Sequence, residues 1–414
     1  MIAIHNVADD LDRLRQPDEA KAIVLAHARP LSPESVPLAE ASWRVLADEV
    51  IATEDHPPFP AATMDGYAVV AADSSPWREV VGVQTAGSMI ETEVTDGYAV
   101  RITTGAPLPR GADAVVKVEN TEVAEDHVIV HQESVARGEN IRPIGSDVRR
   151  GDPLLPAGAR IGPAEIGLLA GLGLTPVSVR RRPRVSVVST GDELVDPDQP
   201  LRPGQVRDSN RFSLVAALQT ADAEIVWSGK APDERPALEA LLRGRISDSD
   251  VVITSGGVSM GELDLVKAIL DDIANVHFRR VFMKPGKPLN FATAGETLIF
   301  GLPGNPVSAL VGFEYFVRPA LAMLAGRRVI EQPRVAVTLA QATPPTDRIE
   351  FQRAVVRVDS NGSLFGTTTG SQASSRLASL VGANALLVIP PRETAYDAGE
   401  RVDAILLGPP LSAE

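Results

Sequence analysis

The stretch DVVITSGGVSMGELD, residues 250 to 264, runs from an apolar segment into glycine, serine and acid within a few residues. Its β-branched part, Val251, Val252 and Ile253, lacks the alternation of a half-exposed strand and predicts an inner strand of a parallel sheet covered on both faces. Open α/β sheets bind ligands at the carboxyl ends of such strands, and paired glycines let backbone N–H groups approach an anion. Thr254, Ser255, Gly256, Gly257 and Ser259 are therefore the first candidates for a binding loop, with Glu262 and Asp264 just beyond.

Outward from this stretch, strand and helix patterns alternate from about 183 to 330: RVSVVST, a helix over RFSLVAALQTAD, EIVWSG, a helix near 236 to 245, DVVITS, then a helix near 262 to 273. The strands VHFRRVFM and TLIFGL follow, and a long helix begins at about Val307. The pattern is α/β with a mainly parallel sheet. Between 57 and 145 many short β-prone runs (YAVV, VVGVQ, YAVRITT, ADAVVKV, HVIVH) are separated by Gly, Asp and Pro, as in a small inserted β domain. On either side of it, residues 18 to 50 read as helical pieces broken by prolines, and PAEIGLLAGL at 163 to 172 as a short helix; the two are expected to pack together. After Pro333, short strands with turns at SNGS and DAGE predict a C-terminal β barrel or sandwich. The expected domains are a discontinuous helical linker at 1–50 and 146–180, an inserted β domain at 51–145, an α/β domain at 181–330, and a C-terminal β barrel at 331–414.

A chain of 414 residues exceeds what one core supports. Lysine and arginine total 40 against 54 acids, a formal charge of −14, which argues against a general binder of nucleic acid backbones. With no cysteine, disulfides, iron–sulfur clusters and thiol nucleophiles are excluded, and any metal needs oxygen or imidazole ligands. His127 and His131 lie in HVIVH, which alternates as a strand, and read as surface residues. The amino terminus turns acidic too early for a signal peptide, and no apolar run reaches membrane-spanning length, so a cytoplasmic protein without membrane contact is expected.

Three predicted strands end in polar glycine loops, VVSTGDEL at 187 to 194, VITSGGVSMGELD at 252 to 264 and IFGLPGNPVSAL at 299 to 310, and neighbouring parallel strands bring such loops to one edge. Each loop alone has a plain structural explanation in turn and cap formation. MDGYAV at 64 to 69 and KPGKPL at 284 to 289 add charge beside turn glycines, and Lys284 and Lys287 suit an oxyanion as point charges on a stiff turn. RITTGAPLP contributes the hydroxyls of Thr103 and Thr104. Asp65, Asp147, Asp192, Glu193, Asp208, Glu262 and Asp264 are candidate ligands for magnesium, which together with substrate phosphate suits phosphate-ester chemistry. Neither a Ser-His-Asp order nor a Walker pattern is present.

PFPAATMDGYAV, RITTGAPLPRGADAVVKVE, VVSTGDELV, RDSNRFSL, TSGGVSMGELD, KPGKPLNF and GLPGNPVSAL follow one another in an order that resembles the molybdopterin molybdenumtransferases, the family that includes the gephyrin E domain. The resemblance implies a homodimer of four-domain subunits whose site lies between the α/β domain of one subunit and the inserted and C-terminal β regions of the other. It implies adenylylated molybdopterin and molybdate as substrates, AMP as product, and Mg2+ as cofactor, with a molybdopterin adenylyltransferase as a possible partner. By motif, Asp65, Glu193, Asp208, Asp264, Lys284 and Lys287 would be catalytic, with Asp65, Glu193 and Asp264 holding metal. Thr104, Asp147, Ser255, Gly256, Gly257, Ser259, Pro303, Pro306, Arg353 and Ser374 would bind substrate. The chain departs from the pattern at Ser42 and Trp43, where leucine and glycine are usual, and at Glu262 and Leu263, where Asp-Tyr is usual. The rival readings are a molybdopterin adenylyltransferase, which normally lacks the two β domains, and a gephyrin-like dimeric scaffold with a peptide groove.

Overall fold

The computed structural model describes residues 11–232, 234–256 and 265–413. The stretch around Val251 forms the strand Val251–Ser255, buried at every residue. It lies inside a six-stranded sheet ordered Glu224–Lys230, Arg184–Ser189, Val251–Ser255, Thr297–Leu302, Pro288–Ala294, Asn275–Arg280. The first four strands are mutually parallel and the last two antiparallel. Alternate side chains enter two cores. Val251 and Ile253 pack with Leu214 and Leu218 of the helix Ser209–Thr220, whereas Val252 packs with Leu238 and Leu242 of Arg235–Asp248 and with Val266, Ile269 and Leu270 of Leu265–Ile273. Helices on both faces explain why the strand carries no polar alternation.

A single helical run, Pro306–Leu324, passes through a five-residue π segment at Phe313–Val317. It is long and apolar enough to cross a membrane by length and composition, which corrects the expectation that no such run exists, but 78% of its apolar window is buried inside the protein. Glu314 and Arg318, four residues apart on it, form an ion pair at 2.5 Å. It is a core helix.

The linker is less helical than expected. Pro17–His27 and Pro163–Gly171 are helices, but Pro33–Val36 is a strand paired antiparallel with Val177–Arg180, and Val50–Ile51 pairs with Pro153–Leu155. Pro30, Pro33 and Pro37 account for this, because proline lacks the N–H a helix needs and biases the preceding residue to extended backbone. Val36, Ala41 and Leu46 of the 18–50 stretch pack around Pro163–Gly171 as expected, but the two helices themselves join different cores. Ala20 and Val24 of the first join the α/β core beside Leu321 and Leu324, while Leu169 of the second packs with Leu46, Ile161 and Val179. Trp43 has φ +64° and is 49% exposed. That left-handed backbone favours glycine. Arg160 stacks on the indole at 4.7 Å, which offsets part of the cost.

The first helix is also tied down by an imidazole pair. The rings of His27 and His277 lie 4.0 Å apart, with His277 stacked on Phe291 and its Nε2 at 2.9 Å from Thr293 Oγ1. Burial, then the neighbouring His27, lowers the His277 pKa from 6.5 to about 4. Between those values the unfolded chain binds the proton and the folded chain does not, so stability present above pH 6.5 is lost as pH falls toward 4. Discounted for partial exposure, the expected loss is about 1 kcal/mol. Urea unfolding at both ends of this window should show His277→Phe losing less stability on acidification than the native chain; an equal loss would refute the assignment.

The inserted module is a six-stranded sheet ordered Ala114–Lys117, Gly66–Val69, Tyr98–Ile102, Trp77–Gln84, His127–Val130, Thr121–Ala124, with apolar clusters around Val100 and Val128. His127 and His131 are exposed, and His131 lies 3.3 Å from Glu122. The C-terminal module is a closed ring: Ile349–Val358 pairs with Leu364–Thr368 and Ala385–Ile389, and Arg334–Leu339 with Leu364–Thr368 and Arg401–Leu406. Ala385–Ile389 paired with Arg401–Leu406 completes the circuit. Met283–Lys284 adds to this ring beside Ile349 and Glu350, so the KPGKP turn is a junction between the α/β sheet and the barrel.

Candidate active site

Parallel register sets Ser189, Ser255 and Leu302 side by side, so their three following loops leave one edge of the sheet together. The Thr190 N–H donates to the Ser255 carbonyl at 3.0 Å and the Gly256 N–H to the Leu302 carbonyl at 3.2 Å. Gly256 has φ +91°, and a Cβ there would sit 2.5 Å from the Thr190 carbonyl oxygen. Only glycine fits that position, in strain and in space. The Asn210 side chain joins the edge by donating to Ser255 Oγ and to the Gly304 carbonyl, both at 2.8 Å. Pro303 is buried within the third loop, and Pro306 opens the long helix. Gly257, Ser259, Glu262 and Asp264 lie outside the described residues.

The acids divide by environment. Asp208 is 3% exposed and caps Ser209–Thr220: its Oδ1 accepts from the Arg211 N–H at 3.1 Å and its Oδ2 from Arg211 Nε at 3.0 Å. Both oxygens are engaged, and the cap holds Asn210 at the helix start. Glu193 is exposed, its carboxylate folded over Gly191 so closely that a Cβ there would lie 2.6 Å from Oε2. Among the described residues that carboxylate has no hydrogen-bond or ion-pair partner.

On the inserted sheet, Gly66 packs against Val116, whose carbonyl oxygen would lie 2.0 Å from any Cβ at that position. That contact sets Asp65 at the strand's entrance, where its Oδ1 accepts from the Thr104 N–H at 2.7 Å and from Thr104 Oγ1 at 2.8 Å. The Thr104 backbone bond, the Thr104 hydroxyl bond and the charge of Arg101 hold the carboxyl below its ordinary range, so it remains ionised into acid. Asp147 is exposed and pairs with Arg142 at 3.5 Å. Asp65 and Thr104 are thus brought together as their motifs imply. No hydrogen bond or ion pair among the described residues links the inserted sheet to the α/β edge, and no cluster of three acidic or histidine side chains able to hold a metal occurs among them. The expected metal set of Asp65, Glu193 and Asp264 is therefore not assembled from the described residues of one chain: Asp65 is on one module, Glu193 on another.

The two lysines of the turn differ. Lys284 Nζ pairs at 3.0 Å with Glu350, which is 2% exposed and also accepts from Gln352. Lys287 is half-buried, its carbonyl accepts from the Val281 N–H, and its ammonium has no partner among the described residues. Arg353 is fully buried, donating from Nε to Ser379 Oγ at 3.1 Å and from Nη2 to the Ser371 and Ala373 carbonyls at 3.3 Å. It shapes the loop whose Ser374 carbonyl accepts from the Val307 N–H at 3.2 Å, so Ser374 reaches the α/β edge of its own chain. Asn210 and Glu350 were missed from sequence. Asn210 stands in the RDSN motif beside the more conspicuous aspartate, and Glu350 had no local signal.

The class of protein to which a loop-bearing parallel edge, an inserted sheet and a closed barrel belong here is given by comparison with known families. Three family models match in succession: the MoeA N-terminal region (domains I and II) over residues 15–173, the probable molybdopterin binding domain over 186–323, and the MoeA C-terminal region (domain IV) over 335–407. The molybdopterin molybdenumtransferase of Haemophilus influenzae is 37% identical over 93% of this chain and 96% of its own. Gephyrin of Dictyostelium discoideum is 38% identical over 95% of this chain and 62% of its own. A solved molybdopterin biosynthesis MoeA protein from Pyrococcus horikoshii superposes with TM-score 0.82 at 29% identity, over 96% of this chain and all of its own. The chain belongs to the MoeA family of molybdopterin molybdenumtransferases.

Proposed function

We propose that this chain inserts molybdate into adenylylated molybdopterin, releasing AMP, at a site completed by two copies of the chain. The observation that carries the reading is the ammonium of half-buried Lys287 at the α/β–barrel junction, without a partner among the described residues, while Lys284 is already paired with Glu350. An oxyanion substrate supplies the missing partner. Asp65, with Oδ1 anchored by Thr104 and Oδ2 free among the described residues, would align the attacking water or oxyanion. Magnesium fits the exposed carboxylate of Glu193, which has no partner among the described residues, since that ion takes most of its ligands from water and phosphate; it would neutralise charge on the phosphate. The inserted sheet and barrel favour this reading over an adenylyltransferase. Asp65 Oδ2, the Glu193 carboxylate and the Lys287 ammonium, all without partners among the described residues, favour it over a pure scaffold.

Because no hydrogen bond or ion pair among the described residues joins the module of Asp65 to the edge beside Lys287, the shared site takes Asp65 from one copy and Lys287 from the other. AMP release from adenylylated molybdopterin with magnesium should require molybdate. Asp65→Ala and Lys287→Ala chains, each nearly inactive alone, should regain about a quarter of native turnover when co-assembled, since about half the pairs are mixed and each mixed pair has one intact site. Oxyanion-independent AMP release would sink the reaction, and no recovery would sink the shared site.

A further inference from the structure

The Asn210 amide is oriented by chemistry. A backbone carbonyl only accepts, so the 2.8 Å contact with the Gly304 oxygen must come from Nδ2, which then also donates its second hydrogen to Ser255 Oγ at 2.8 Å. Ser255 is the acceptor of that bond, and its own single hydroxyl hydrogen has no acceptor among the described residues. Ser255 is 3% exposed, so water does not readily serve it. Ser189 Oγ, on the adjacent strand and the same sheet face, and Asn210 Oδ1 are likewise buried without partners among the described residues. Unpaired buried polar groups are costly, and their concentration at the loop-bearing edge marks a surface completed by a ligand.

We propose that Asn210 is a positioning residue that makes Ser255 an obligate hydrogen-bond donor to an oxyanion oxygen of the substrate, beside Gly256. The inference rests on the transferase reading and adds the residue that sets the polarity of its oxyanion contact. Reversing that polarity would require flipping the amide, which would set Asn210 Oδ1 against the Gly304 carbonyl oxygen, so the proton stays available to the ligand.

Calorimetric titration of the full chain with molybdate, and separately with AMP, tests this. Ser255→Ala and Asn210→Ala should each weaken one of the two ligands by about tenfold, the loss of one hydrogen bond to a charged group. The ligand affected identifies the oxygen. Ser255→Thr, which keeps the hydroxyl, should bind within about threefold of native, and the double Ala variant should bind no more weakly than Ser255→Ala alone, because Asn210 acts through Ser255. Unchanged binding of both ligands by Ser255→Ala, or losses that add in the double variant, would overturn the proposal while leaving the transferase reading intact. If Asn210→Ala fails to fold, the Ser255→Ala and Ser255→Thr pair decides alone. A native chain that binds neither ligand would overturn the transferase reading, and this inference with it.

Discussion

Replacing Lys287 by alanine lowers turnover by about 100- to 1,000-fold, the cost of removing one well-placed charge stabiliser from a developing oxyanion. Folding stability should hardly change, because the ammonium has no protein partner among the described residues and leaves none unpaired. Lys284→Ala should behave in the opposite way. Its ammonium is paired at 3.0 Å with Glu350, which is 2% exposed, so its removal leaves a buried carboxylate with Gln352 as the remaining side-chain donor. A stability loss of about 2 kcal/mol is expected, with a smaller effect on rate. Steady-state AMP release and urea unfolding on both variants separate the roles. If Lys284→Ala is the slower enzyme and Lys287→Ala the less stable protein, the assignment is reversed.

Arg353→Ala should destabilise the fold by about 3–5 kcal/mol, the range for truncating a buried, hydrogen-bonded charge. The guanidinium is fully buried, so its position is maintained by Ser379, Ser371 and Ala373 rather than by solvent. Activity should fall through the loop carrying Ser374, whose carbonyl meets the start of the long helix. The motif resemblance implies a substrate-binding arginine instead. Chemical denaturation distinguishes the two: unchanged stability with a raised KM would restore the binding role.

Much of the architecture was legible because it depends on local pattern. Val251, Val252 and Ile253 without alternation meant a strand covered twice, and helices lie on both faces. The short β runs after residue 57 became one sheet. The linker was misread where apolar residues between prolines suggested helix, because partners distant in sequence, such as Val177–Arg180 for Pro33–Val36, convert extended proline-rich segments into strands. The packing of Pro17–His27 against the α/β core was equally invisible: an apolar face does not say which apolar face will cover it.

By itself the sequence determined the parallel sheet, its glycine loops, the inserted and C-terminal β modules, and the residue types available for oxyanion chemistry. Only the tertiary structure decided which charges remain available: Lys284 is paired and Lys287 has no partner among the described residues, Asp208 caps a helix, Arg353 braces a loop, and Asn210 joins two loops. The physical reason is that a charge is spent or free according to neighbours set by sheet register and domain docking, and Glu350 lies 66 positions beyond Lys284 in the chain yet directly beside it in the ring.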